Sequence, residues 1–81
     1  MIGTRDKEAI KRFGISIRQK RLQKGFSQEE LADRCQIDIR QIGRIERGEI
    51  NTTISTVFVL ARALEVPVGD LFDFPLPPLE S

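Results

Sequence analysis

Residues 27–48 read SQEELADRCQIDIRQIGRIERG, two short helical patterns joined by a tight connection. Ser27 stands where its hydroxyl can accept a hydrogen bond from the free amides that open the first pattern, and Glu30, three residues on, can reach back. That is a capping box, so a helix starts at Gln28. Leu31, Ala32 and Cys35 fall on one face of it, which leaves Glu29, Asp33 and Arg34 to water. Asp38 caps the second pattern in the same way. From there Ile42 and Ile45 point inward together with Glu46, and Arg40, Arg44 and Arg47 lie opposite them at i, i+4 and i+7. One side of this second helix binds a core, and the other is a row of guanidinium groups.

Around this stretch the chain is short. Its 81 residues make one small domain with a single core, and the marginal stability that goes with that size favours a dimer. Five Phe without Trp or Tyr, and 40% apolar residues, suit a compact folded chain rather than a disordered one. No apolar run approaches the ~20 residues that span a bilayer. The opening MIGTRDKEAIKRF is too charged for a secretory signal, so a cytoplasmic protein with no membrane partner is expected. One Cys cannot form an internal disulfide, and without His there is no metal-ligand cluster. Cys35 is expected as a small core residue, and neither metal nor cofactor is expected.

The formal net charge of +1 conceals a separation along the chain. Residues 1–48 carry twelve Lys or Arg against seven Asp or Glu, a balance of +5, while residues 49–81 carry Arg62 against five acids, a balance of −4. Such asymmetry is the pattern of a chain in which one part meets a polyanion and the other does something else. The basic half holds the guanidinium row.

Upstream, a first helix is expected from near Asp6 to Lys24, where Gly25 supplies a stop. Ile10, Phe13, Ile17 and Arg21 share its buried stripe, with Gly14 beside them. A charge left unpaired in a core costs several kcal/mol, of order 3 to 5; Glu46, also inward-facing, is the candidate partner for Arg21. Phe26 and Ile37 flank the second helix as core. Downstream, residues 49–53 read as a loop and Thr53 as the cap of a fourth helix, roughly Ser55 to Leu64, with Ile54, Val57, Phe58, Ala61 and Leu64 as its apolar face. Pro67 opens a short fifth helix whose Val68, Leu71 and Phe72 close the core. The tail FPLPPLES should be extended. The expected fold is therefore all-α, a compact bundle of five helices, in a domain of residues 1–74 whose first few residues are flexible, followed by a Pro-rich tail at 75–81.

The segments IRQKRLQKGFSQEELA, RIERGE and ALEVPVGDLF, in this order, resemble the phage repressor and Cro group of Xre-type helix-turn-helix regulators. The resemblance covers roughly residues 10 to 73. One departure is Gln36, in the turn where the family usually carries Gly; a left-handed backbone there costs a non-Gly residue on the order of 1 kcal/mol. The resemblance implies a DNA-binding domain in which Arg21 and Glu46 form an ion pair that fixes the recognition helix against the first helix. It also implies a phosphate contact at Gln28.

Within that frame the residue types suggest roles. The major groove admits one helix, and Ile39 to Arg47 is the one expected there. Arg40 and Arg44, one turn apart, suit guanine edges, Gln41 suits adenine, and Ile39 suits a thymine methyl or else completes the packing between the two helices. Gly43 removes bulk where DNA would approach. Arg47 suits phosphate or offsets the helix C-terminal dipole. Ser27 and Gln28, at a helix start, are expected on phosphate, with Arg18, Asn51 and Thr52 as a clamp on the other rail. An outward arginine without such a motif is usually only solvated.

A homodimer on an inverted repeat of double-stranded DNA follows from two-fold docking, with recognition helices about 34 Å apart. Its interface is expected in the acidic, apolar C-terminal third, around Phe58, Leu71, Phe72 and Phe74. The rival reading is a protein-interaction module, such as a small antitoxin or adaptor on the same fold. An enzyme is disfavoured, because nucleophile and base are both missing.

Overall fold

The computed structural model describes residues 5–79, and every regular element in that span is helical. Four α-helices follow one another, α1 (Lys7–Gln23), α2 (Gln28–Cys35), α3 (Ile39–Glu46) and α4 (Ile54–Leu64), and a 3-10 helix at Val68–Phe72 closes the set. Each α-helix opens on a side-chain cap. Asp6 accepts from the Ala9 amide at 3.0 Å, Asp38 from the Arg40 amide at 2.8 Å, and Thr53 from the Thr56 amide at 3.2 Å. At α2 the box is complete: the Glu30 amide donates to Ser27 at 3.0 Å and the Ser27 amide to Glu30 at 3.1 Å.

All four α-helices also end alike. Gly25, Gln36, Gly48 and Glu65 have φ of 76°, 57°, 73° and 57°. In each case the left-handed residue's amide returns to a carbonyl three residues back and the next amide to one five back, as in Phe26 to Arg21, Ile37 to Ala32, Glu49 to Arg44 and Val66 to Ala61. This is the Schellman arrangement, which satisfies carbonyls that would otherwise be orphaned. Gln36 adopts the left-handed conformation that Gly usually supplies, and Glu65 does the same at the end of α4.

The core gathers Phe13 and Ile17 of α1, Leu31, Ala32 and Cys35 of α2, Ile42 and Ile45 of α3, and Val57, Leu60, Ala61 and Leu64 of α4, with Leu71 as a plug. Burial raises the Cys35 thiol pKa and keeps it unreactive. On α4 the buried stripe differs from the expected one. Leu60 is fully buried, whereas Ile54 is 74% and Phe58 44% exposed. At ~100° per residue the stripe centres between Val57, Leu60, Ala61 and Leu64, which puts Ile54 and Phe58 at its edge. The fifth helix forms as a tight 3-10 turn set just after Pro67. Beyond it, Pro75 to Leu79 run without regular structure and exposed. Residues 1–4, expected to be flexible, and the last two tail residues, 80 and 81, lie outside the described residues.

Helices α1 and α3 meet backbone to backbone. A Cβ built on Gly14 would collide with the Ile45 carbonyl oxygen and come within 2.8 Å of that of Glu46. Both obstacles are main chain and cannot swing away. Gly14→Ala gains about 1 kcal/mol of helix propensity but overpacks this contact, at a cost of roughly 1 to 3 kcal/mol or more. The expected outcome in urea unfolding is a lower midpoint. A raised midpoint would mean that the two backbones are not in contact.

Candidate nucleic-acid interface

The orientation of α3 is set from behind. Arg21 Nε donates to Glu46 Oε2 at 2.7 Å and Arg21 Nη2 to Glu46 Oε1 at 3.0 Å, a two-pronged pair buried between α1 and α3. The third arm, Nη1, donates to the Phe26 carbonyl at 2.9 Å, and Gln28 Nε2 donates to Glu46 Oε1 at 3.0 Å. The hydrogen bonds to Glu46 hold the Arg21 pKa above its ordinary value, against the opposing effect of burial. With Glu46, Ile42 and Ile45 turned inward, the opposite face of α3 is left to solvent.

That face is a ridge between two grooves. One groove is lined by Gln28, Ile39, Gly43 and Arg47 and the other by Asp38, Gln41 and Ile50, while Arg40 and Arg44 line both. The Arg40 side chain is 86% exposed. Ile39 is exposed and Gln41 half-buried, so the ridge is flanked by one apolar and one amide side chain.

Each arginine of the ridge has a carboxylate beside it. Arg40 Nε and Nη2 donate to Asp38 Oδ1 and Oδ2 at 3.2 and 2.9 Å. Arg47 Nε donates to Glu49 Oε2 at 2.7 Å, and Arg44 Nε lies 3.9 Å from Glu49 Oε1. These side-chain hydrogen bonds lower the carboxyl pKa of Asp38 and Glu49 and raise the guanidinium pKa of Arg40 and Arg47. Sequence reading saw Asp38 only as a cap and Glu49 only as loop. The signal for Glu49 lies in the helix ending: the position that Phe26, Ile37 and Val66 fill after α1, α2 and α4 is filled by Glu49 after α3.

Several expected contacts take other positions. The space beside Gly43 is occupied by Arg47, whose Nη1 would lie 2.9 Å from an added Cβ, so Gly43 accommodates a side chain rather than exposing bare backbone. The Gln28 side chain is engaged by Glu46; what it leaves for an anion is the helix start itself, shared with the exposed Ser27. Thr52 does not suit a phosphate clamp: its hydroxyl oxygen is enclosed without a protein partner, and the residue lines a small apolar cavity with Phe13, Val57 and Phe72. Asn51 and Arg18 are exposed, in the loop after α3 and on α1. Leu71 is completely buried and cannot form part of a dimer surface, because its side chain is spent plugging the core. Phe72 stacks on Phe13 with ring centroids 5.3 Å apart yet remains 47% exposed, and Phe74 is half-buried. Among the described residues no group of side chains could hold a metal ion, and no helix is long and apolar enough to cross a membrane.

The helix-turn-helix family profile matches residues 17–71. Control protein C.BamHI of Bacillus amyloliquefaciens is 41% identical over 63 residues, 76% of this chain and 78% of that protein. The crystal structure of the restriction-modification controller protein C.AhdI from Aeromonas hydrophila matches with a TM-score of 0.76 at 36% identity, over 78% of this chain and 96% of that one. The restriction-modification controller C.Esp1396I, solved as a tetramer in complex with its natural 35 base-pair operator, matches with a TM-score of 0.74 at 32% identity, over 80% of this chain and 86% of that one.

Removing one partner of a buried pair leaves an uncompensated charge. Arg21→Met and Glu46→Leu should therefore each destabilise the fold by about 3 to 5 kcal/mol, and the two together by much less than the sum of the single changes. Thermal unfolding of the three variants checks this. Additive losses would show that the two side chains do not act as a pair.

Proposed function

This chain belongs to the helix-turn-helix family, and we propose that it binds double-stranded DNA sequence-specifically and regulates transcription, as a cytoplasmic homodimer on an inverted-repeat operator. The observation that carries this reading is the exposed ridge of Arg40 and Arg44 on α3, held from behind by the buried Arg21–Glu46 pair. A major groove is wide enough for one helix, and an arginine fork matches the two acceptors on guanine. Similarity to C.Esp1396I, whose tetramer is solved on operator DNA, supports the same partner here.

In this reading Arg40 and Arg44 read guanine edges, Gln41 reads adenine and Ile39 meets a thymine methyl. Arg47 touches phosphate at the far end of α3, while Ser27 and Gln28 bring the α2 start to one backbone rail and Arg18 and Asn51 clamp the other. The activity is binding rather than turnover and uses no cofactor. Residues 1–74 form the binding domain, with 75–81 as its tail. The dimer surface is formed by Phe58, Phe72 and Phe74, with the apolar edge left open on α4 by Ile54, in the acidic part of the chain.

Selection of bound sequences from a random DNA pool should recover an inverted repeat with half-sites one helical turn apart. Arg40→Ala and Arg44→Ala should each cost about 1 to 3 kcal/mol on the selected site and relax preference at separate base pairs. Arg47→Ala should weaken all sequences alike and reduce the salt slope by less than one unit, because Glu49 already offsets part of its charge. Full binding by the Arg40→Ala, Arg44→Ala double variant would place the DNA elsewhere. For the dimer, Phe58→Ser should shift the protein to monomer in sedimentation and remove the dependence of Tm on protein concentration, since a partner that binds only the folded chain stabilises it by mass action; an unchanged sedimentation coefficient would move the interface off α4.

A further inference from the structure

We propose that Asp38 is a specificity-determining positioning residue, which presents the guanidinium of Arg40 end-on to a base pair. The inference rests on the reading of Arg40 as a base contact and goes beyond it by naming what aims that side chain. Arg40 is almost wholly exposed, and an exposed arginine ordinarily samples many rotamers at a cost of up to about 2 kcal/mol when it is fixed. Here it is fixed on both prongs of one edge: Nε and Nη2 lie on the two oxygens of Asp38 at 3.2 and 2.9 Å. Of the five N–H groups of a guanidinium, two are thereby used. The remaining three sit on Nη1 and the outer side of Nη2, at the tip. That is the fork that can span the N7 and O6 acceptors of a guanine.

Capping is one of two jobs that this aspartate does. The same Oδ1 that accepts from Arg40 Nε also accepts from the Arg40 amide at 2.8 Å, so one side chain starts the helix and holds the guanidinium. Ser27 and Thr53 start α2 and α4 with neutral hydroxyls and Asp6 starts α1 with a carboxylate, so what sets Asp38 apart is its place beside the α3 arginines. On a surface that faces phosphates a carboxylate carries a repulsive cost that Ser or Asn would avoid. The cost is cancelled only because Arg40 is bound to it. Glu49 supplies the internal comparison, since it places an equal charge at the other end of α3 against Arg47 and Arg44, without a two-pronged hold on either.

The test measures equilibrium binding of the full chain to its selected operator and to every single-base variant of one half-site. Asp38→Asn and Asp38→Ser both retain a good cap, so circular dichroism and Tm should stay close to the parent protein. Both should reduce discrimination at the one base pair read by Arg40 by about tenfold, while discrimination elsewhere in the half-site holds. Glu49→Gln, which removes the same charge, should tighten binding to all sequences alike and leave discrimination intact. The proposal is overturned if Asp38→Asn and Asp38→Ser behave as Glu49→Gln does, with uniform tightening and no loss at any base pair. It is equally overturned if they relax several positions together. Arg40→Ala separates the two levels: if it changes preference at no base pair, the base-reading assignment fails, whereas loss of preference in Arg40→Ala with none in the Asp38 variants leaves that assignment standing and removes the role of Asp38.

Discussion

One buried carboxylate ties three parts of the chain together. Glu46 of α3 receives two N–H groups from Arg21 of α1 and one from Gln28 at the start of α2, and Arg21 spends its last arm on the carbonyl of Phe26, between α1 and α2. Taking both charges out of water costs several kcal/mol per ion, so such a pair adds little net stability beside well-packed apolar residues. What it adds is direction. Apolar contacts from Ile42 and Ile45 would tolerate some rotation of α3, but a two-pronged pair fixes the roll of the helix, and with it the residues that face outward. Gly14 belongs to the same arrangement, because only without a side chain there can α3 come close enough for the pair to close.

Repetition of one helix ending gives the loop after α3 its meaning. After α1, α2 and α4 the residue following the left-handed turn is Phe26, Ile37 or Val66, and each packs against the core. After α3 the same backbone geometry delivers Glu49, which lies against Arg47 and near Arg44. A motif that elsewhere adds apolar contact here supplies a counter-charge. Together with Asp38 at the opposite end, it leaves the α3 guanidinium groups on an open surface but not free.

Much of this was legible in residues 27–48, because caps, a 3.6-residue stripe and an inward acid opposite an inward arginine are local signals with one geometric reading. The Arg21–Glu46 geometry needed only the rule that a buried charge has a partner. At Gln36 the resemblance left open whether the turn differs from the family's or keeps its left-handed residue at some cost, and the φ of 57° shows the second. What stayed hidden depended on where elements dock. On α4 the apolar residues outnumber the places against the core, so periodicity alone did not choose Leu60 over Ile54 or Phe58. Leu71 could plug the core or face a partner on composition, and only the docking of the 3-10 helix decides. Thr52 looked like any loop hydroxyl, and only the packing of the loop encloses its oxygen without a partner. The carboxylate partners of Arg44 and Arg47 depend on a positive φ at Gly48, which turns Glu49 back over α3.

Pairing of the ridge arginines bears on how such a small chain can discriminate. Sequence-independent attraction grows with the number of phosphates neutralised, through release of their counterions. An arginine that arrives with its own carboxylate neutralises little, since the acid comes with it. Its remaining N–H groups are still donors, and hydrogen bonds to base edges do not require net charge. On the proposed reading of the ridge, the pairing lowers binding to any duplex while leaving the means to choose among duplexes. Since roughly 10⁶ to 10⁹ non-specific sites in a genome compete with one operator, the ratio of the two affinities governs occupancy, and either one alone does not. A formal net charge of +1, a weak signal for a DNA partner, fits a surface in which positive charge is spent on recognition and balanced elsewhere.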